Sequence, residues 1–182
     1  RKNLFRLIKE RLLLADNCEL ICMETNKPPW TQCEYHLPLM SLPGSFPINK
    51  MAQNLEGGYL KNYRDQNKVK GIGIVWAAGL KNEFEAERSR LNRSISTELI
   101  FNWIKYWHKK QTTPLISLQL GKEAEDLNKM NIDLYQISEP KDWEETAQII
   151  DQLQGVLTVN TAMAHLCGAM NVPCVLLLNK PC

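Results

Sequence analysis

The stretch GVLTVNTAMAHLCGAM, residues 155–170, holds the side chains best placed to do chemistry: Asn160, Thr161 and His165. GVLTV is apolar and rich in β-branched residues, so it reads as a buried strand. A helix of small residues follows with no loop between. The first N–H groups of such a helix have no intrahelical partner. Together with the helix dipole they attract anions. Thr161 adds a hydroxyl, and Ala162 and Ala164 leave room for a ligand to come close. His165 lies four residues after Thr161, on the same face one turn deeper. A diphosphate over Thr161 and Ala162 with His165 beside it is one reading. The other is architectural: an Asn or Thr N-cap on a tightly packed helix, with a histidine in the core. The residues alone leave both open.

Other candidates are weaker. The segment AAGLKNEFEAERSRLNRS, 77–94, is polar and carries Lys81, Arg88, Arg90 and Arg93. A basic loop could neutralise a departing diphosphate; equally, it could be a solvated connection. Gly71 and Gly73 lack the third glycine of a dinucleotide fingerprint and lie inside a strand rather than at a strand–helix turn. Cys18, Cys22, Cys33 and His36 invite a zinc site. However, CELICME reads as a strand, which separates Cys18 from Cys22 by about 13 Å, too far for one tetrahedral metal. The six cysteines are irregularly spaced, and the chain is large enough to fold without staples. They read as reduced thiols of a cytosolic protein. No metal motif and no Ser-His-Asp order stands out. Asn92-Arg93-Ser94 is a glycosylation sequon, of consequence only in a secreted protein.

The elements that must hold these residues follow from periodicity. A helix is expected at 3–15 and a strand at 19–23. The Pro-rich stretch that follows, with four prolines from Pro28 to Pro43, reads as loop. From about residue 67 the pattern becomes regular. Apolar strands at 68–76, 114–119, 133–138, 155–159 and 173–178 alternate with helices. Leu99, Ile100, Trp103, Ile104 and Trp107 form a helical stripe. Asp142 and Glu145 form a capping-box pair. Asn171 sits where a left-handed cap is wanted, with Pro173 after it. Short apolar strands alternating with helices predict an α/β fold, a doubly wound parallel sheet covered on both faces. Ligands of such sheets bind at the carboxyl ends of the strands. The opening stretch lies on that edge. Region 1–66 has too few elements to close a domain alone.

With 182 residues, 44% hydrophobic and 23% charged, the composition is that of an ordinary globular chain. A net charge of +2 points to neither nucleic acid nor a membrane surface. No apolar run approaches the roughly 20 residues of a membrane span, and the charged N-terminus is no signal peptide. A cytoplasmic protein, or one peripheral to the membrane, is expected.

Taken in order, GIGIVWAAG, NRSIS, ISLQLG and DWEETAQIIDQLQGVLTVNTAMAHLCGAMNVPCVLLL resemble the C-terminal domain of GT-B glycosyltransferases. The resemblance is to the heptosyltransferase-like group (glycosyltransferase family 9 type), including bacterial proteins that join tetratricopeptide repeats to such a domain. YHLPLMSLPGSFPI resembles the end of that family's N-terminal domain. The resemblance implies a Rossmann-like C-terminal nucleotide-sugar-binding domain at 67–182 and part of a second, acceptor-side N-terminal Rossmann-like domain at 1–66. It also implies a chain that is a piece of a longer protein.

For the site it implies that Thr161, Ala162 and His165 contact the donor diphosphate. Gly79, Lys81 and Arg93 would reach phosphates or sugar, and Ser117, Gln119 and Ser138 would frame the nucleoside. The reaction would be a metal-independent displacement at the anomeric carbon, with no cofactor beyond the nucleotide-sugar substrate and with a sugar or protein as acceptor. His36 is the N-terminal candidate for a catalytic residue. The family usually has Asp at the positions of Asn160 and Gln154. The loss of charge at Asn160 weakens any contact to a donor hydroxyl or a cation. It favours a rival reading: a GT-B-like binding or scaffold domain without transfer activity. A GT-B epimerase acting on the same donor is a third.

Overall fold

The computed structural model describes residues 2–12, 14, 16, 18–22, 34–35, 57–65, 70–79, 92–129 and 134–178. In chain order the elements are α1 (Lys2–Arg11), β1 (Ile72–Val75), α2 (Thr97–Lys110), β2 (Leu115–Ser117), α3 (Lys122–Lys129), β3 (Tyr135–Gln136), α4 (Trp143–Ile150), β4 (Gly155–Val159), α5 (Ala162–Ala169) and β5 (Cys174–Leu177). All strand pairs are parallel, in the order β3-β2-β1-β4-β5. This is the expected doubly wound, Rossmann-like arrangement. The chain runs outward from β1 to β2 and β3, then returns to the other side of β1 for β4 and β5. The reversal puts a topological switch point between β1 and β4.

Two apolar layers cover the sheet. On one face Ile74 and Trp76 pack with Ile100 and Ile104 of α2, Leu127 of α3, and Leu115 and Leu134. On the other, Val75, Leu118 and Val156 pack with Ala147 and Ile150 of α4 and Leu166 and Cys167 of α5. The split follows from strand alternation, which sends successive side chains to opposite faces. The expected stripe on α2 holds for Ile100 and Ile104, which are buried, while Leu99 is 62% exposed. At the sheet edge, β5 is largely exposed although all but one of its residues are aliphatic.

Local signals land where the sequence puts them. Asp142 accepts the Glu145 N–H at 3.0 Å and so caps α4. The return bond of the capping box goes from the Lys141 N–H to the Glu145 carboxylate, at 2.7 Å. Asn171 has φ of 53°, the left-handed residue that ends α5. Gly73 is a packing glycine and not part of a nucleotide fingerprint: a Cβ there would lie 2.6 Å from Leu118 Cδ1.

Two boundaries differ from expectation. α1 stops at Arg11, not residue 15, because Leu12 bridges to Leu60 and the Arg11 carbonyl accepts the Lys61 N–H at 2.8 Å. The strand expected at 19–23 is absent over residues 19–22. A strand needs a neighbour for its ladder, and no described segment pairs with this one.

α1 and residues 57–65 pack onto the same apolar layer as α4 and α5, through Leu7 and Leu60. The Leu60 N–H and the Asn62 side chain donate to the Ala169 and Met170 carbonyls, each at 2.8 Å, which satisfies the carboxyl end of α5. Arg11, with no exposed surface, is the hub of the α1–α4 contact. It bonds Glu144 through two nitrogens at 2.6 and 2.9 Å, Asp151 at 2.8 Å and the Lys61 carbonyl at 3.2 Å, with the Tyr63 ring 5.0 Å away. Burial works against its charge, but the bonds to Glu144 and Asp151 outweigh burial and raise its pKa further. No helix of the described residues is long and apolar enough to cross a membrane.

Candidate functional site

At the carboxyl edge of the sheet, where the strand order reverses, lies a cavity of about 600 Å³. Three strand ends line it: Val75 and Ala77–Gly79 after β1, Leu118–Leu120 after β2, and Asn160–Ala162 between β4 and α5. Met163 and His165 of α5, Trp143 of α4 and Arg93 complete it. The walls are mixed. Leu118, Leu120, Met163 and Trp143 are its apolar residues, and Arg93, Asn160, Thr161 and His165 are among its polar ones.

The passage from β4 to α5 sets the polar side. Thr161 is the N-cap, in extended conformation, and its Oγ1 accepts the Met163 N–H at 3.3 Å. The same oxygen is 3.1 Å from Thr158 Oγ1, and Thr158 donates to the Val159 carbonyl at 3.0 Å. A hydroxyl has a single hydrogen. With Thr158's on Val159, the hydrogen between the two threonines is Thr161's. The Thr161 hydroxyl is therefore engaged inside the protein, and what it can still offer a ligand is a lone pair. The Ala162 N–H, by contrast, has no protein partner among the described residues. It stands at the positive end of the helix.

His165 is exposed and lines the cavity. The core-histidine alternative therefore falls, while the N-cap half of that reading holds for Thr161. His165 and Thr161 share one helix face, as their spacing requires. Arg93 also reaches the cavity, and its guanidinium donates to the Asn160 carbonyl at 3.2 Å. That bond ties the segment leading into α2 to the end of β4. At Gly79, which is exposed, an added Cβ would meet nothing within 4 Å among the described residues.

The structure thus brings together Gly79, Arg93, Gln119, Asn160, Thr161, Ala162 and His165, which the sequence placed on separate segments. Ser117 is in a different place. It pairs in register with Ile74 and faces the α2–α3 layer, where its buried hydroxyl has no partner among the described residues. The side chain that β2 turns toward the cavity at this point is Leu118. Ser138 lies exposed after β3, two strands away from β1, and does not line the cavity. Gln154 precedes β4, at the far end of that strand from Asn160, and its N–H donates to the Gly71 carbonyl at 2.9 Å. Its lack of a carboxylate is therefore remote from the cavity. His36, Lys81, Arg88 and Arg90 lie outside the described residues.

Trp143 is a cavity residue absent from the candidates named from the sequence. Its position supplies the missing signal: it is the first residue of a helix that begins at the carboxyl edge of the sheet. Leu118, Leu120 and Met163 carried no sequence signal of their own.

No family model matches the sequence, and no curated protein matches it. Among solved structures the chain is similar to E. coli heptosyltransferase WaaC with ADP-2-deoxy-2-fluoro heptose, at 12% identity and a TM-score of 0.47. The match covers 63% of this chain and 34% of that one, so the chain spans about a third of that protein's length.

Proposed function

We propose that residues 67–182 bind a nucleotide-sugar and belong to a glycosyltransferase of GT-B type, which moves the sugar to an acceptor not yet identified. The observation that carries this reading is the position of the cavity. It sits at the β1/β4 switch point, and its lining divides into polar groups, with the unpaired helix N–H at Ala162, the cation Arg93 and the imidazole of His165, and apolar ones that include Trp143. Such a division suits a ligand with an anionic part and a flat aromatic part. The diphosphate would lie over Asn160–Ala162 beside His165 and Arg93, and the base against the apolar residues.

In the transfer step an acceptor oxygen forms a bond to the anomeric carbon. The bond from that carbon to the diphosphate oxygen breaks, and the nucleoside diphosphate departs with the electron pair. Helix N–H groups and Arg93 would hold the charge that develops on it. A base on the acceptor side takes the acceptor's proton. The neutral amide of Asn160, where the resembled family usually has a carboxylate, favours the second reading: a domain that binds the same donor without transferring from it.

Calorimetric titration with UDP, GDP and ADP tests the binding claim. Micromolar affinity for one of them, weakened about ten- to a hundredfold by His165→Ala, is the expected result. Should the wild type bind none of the three, the proposal is wrong. Release of nucleoside diphosphate from a bound donor then separates transfer from the silent binding domain.

A further inference from the structure

The backbone leaving β1 toward the cavity is held by side chains from two other segments. Trp76 and Ala77 follow the last residue of β1, where backbone groups lose their ladder partners. The Gln119 side chain replaces those partners. Its Oε1 accepts the Trp76 N–H at 3.1 Å and the Ala77 N–H at 2.9 Å. Its Nε2 donates to the Leu120 carbonyl at 3.1 Å. Ser94 Oγ accepts the next N–H, that of Ala78, at 3.0 Å, and the Ile95 N–H donates to the Trp76 carbonyl at 2.8 Å. Three consecutive N–H groups are thus occupied. The following one, Gly79, is exposed and its N–H has no protein partner among the described residues.

Gln119 is more than nine-tenths buried. Both lone pairs of its carbonyl oxygen and one of its two amide hydrogens are in use, so as an acceptor it has nothing left to offer a ligand. Its chemistry is spent on shaping the turn. A turn fixed before ligand arrives spares the ligand the cost of ordering it.

We infer that Gln119 and Ser94 are positioning residues. They hold Trp76–Gly79 in the one conformation that forms the β1 wall of the cavity and leaves the Gly79 N–H free to meet an acceptor on the ligand. The inference rests on the nucleotide-binding reading for its ligand, though not for the turn itself.

The test uses three variants of the full chain. Gln119→Met keeps the length of the side chain and removes the acceptor. Ser94→Ala removes the hydroxyl, and Ser94→Thr restores it. Two quantities are read: the Kd for whichever of UDP, GDP or ADP the wild type binds best, and amide hydrogen exchange at residues 76–79. The loss of two buried acceptor bonds should weaken binding about tenfold or more in Gln119→Met, with exchange at Ala77 and Ala78 accelerated by a similar factor. Ser94→Ala should show the smaller loss of one bond, and Ser94→Thr should stay within about twofold of wild type.

Faster exchange with an unchanged Kd would make the clamp merely structural and overturn the inference. Weaker binding with unchanged exchange would make Gln119 a contact residue, which overturns it as well. If Gln119→Met does not fold, the Ser94 pair decides by the same two readouts. A wild type that binds no nucleotide refutes the donor reading and overturns the ligand half of the inference; hydrogen exchange then decides only whether Gln119 and Ser94 hold the turn, acceleration in the variants supporting that half and its absence overturning it too.

Discussion

Two cavities of similar size among the described residues, each with charged groups in its lining, behave as opposites. One, about 510 Å³, surrounds Arg11 and is lined by four carboxylates: Glu10, Asp65, Glu144 and Asp151. The other, about 600 Å³, sits at the switch point and has far less charge. Charge alone would select the first as the site. Yet Arg11 is engaged by Glu144, Asp151, the Lys61 carbonyl and the Tyr63 ring. A fully buried cation with four of its five N–H donors taken has little to give a ligand. It joins α1 to α4, and its work is architectural. Among the described residues the switch-point cavity keeps an unpaired N–H at Ala162, an exposed imidazole at His165 and an exposed Gly79. Unspent, pre-positioned groups mark a binding site better than the number of charges does.

The comparison breaks most visibly at Arg11. Arg11→Ala leaves Glu144 buried without a cation, at a cost of about 3–5 kcal/mol in denaturant melts. Arg11→Lys should recover only part of this, because an ammonium cannot match the two-pronged contact to Glu144. At permissive temperature the folded Arg11 variant should bind nucleotide like the wild type. A loss of affinity without a loss of stability would mean that the Arg11 cavity takes part in binding.

His165→Ala should do the reverse. Stability stays within about 0.5 kcal/mol, as for other exposed side chains, while the binding term of about 1.5–3 kcal/mol owed to a charged hydrogen bond disappears.

Thr161→Ala falls between the two. Removing the N-cap costs about 1 kcal/mol of stability, and binding weakens through a frayed first turn. Thr161→Ser should restore both, because Ser keeps the hydroxyl.

The narrowest effect, seen only on raising the pH, belongs to Cys167 on the buried face of the site helix. Burial, and then the neighbouring Cys174 thiol, push its pKa up to about 12. Above the ordinary thiol range the unfolded chain gives up this proton while the folded one keeps it. The unfolded state then binds fewer protons, so stability falls as pH rises toward 12. Urea melts at pH 8 and pH 10.5 should show a steeper decline for wild type than for Cys167→Ala. Equal slopes would mean that the thiol titrates normally in the folded protein.

Much of this was legible in advance because the signals are local. Asp142 and Glu145 announce a helix start through bonds that span three or four residues. Asn171 and Pro173 announce a helix end by backbone sterics. Alternating apolar strands and helices announce a parallel sheet, because each crossover needs a covering layer. The polar side of the site was legible for the same reason: Asn160, Thr161, Ala162 and His165 are neighbours in the chain. Ser117 and Leu118 show where such reasoning stops. They are adjacent in sequence, and only strand register decides which of them faces the cavity. Trp143 and Gln119 show it again, since their roles depend on partners 17–43 residues away or more.

By itself, the sequence determined the class of fold and the carboxyl-edge location of the β4–α5 junction, since periodicity and capping act between near neighbours. The tertiary structure alone decided the strand order, and with it the switch point at which β1, β2 and β4 end around one cavity. It also decided which polar groups remain unspent. Arg11 and Gln119 are consumed by partners that the chain brings from a distance, whereas His165 and the Ala162 N–H are left facing open space. Hydrogen-bond satisfaction is a property of the assembled molecule, and no single segment carries it.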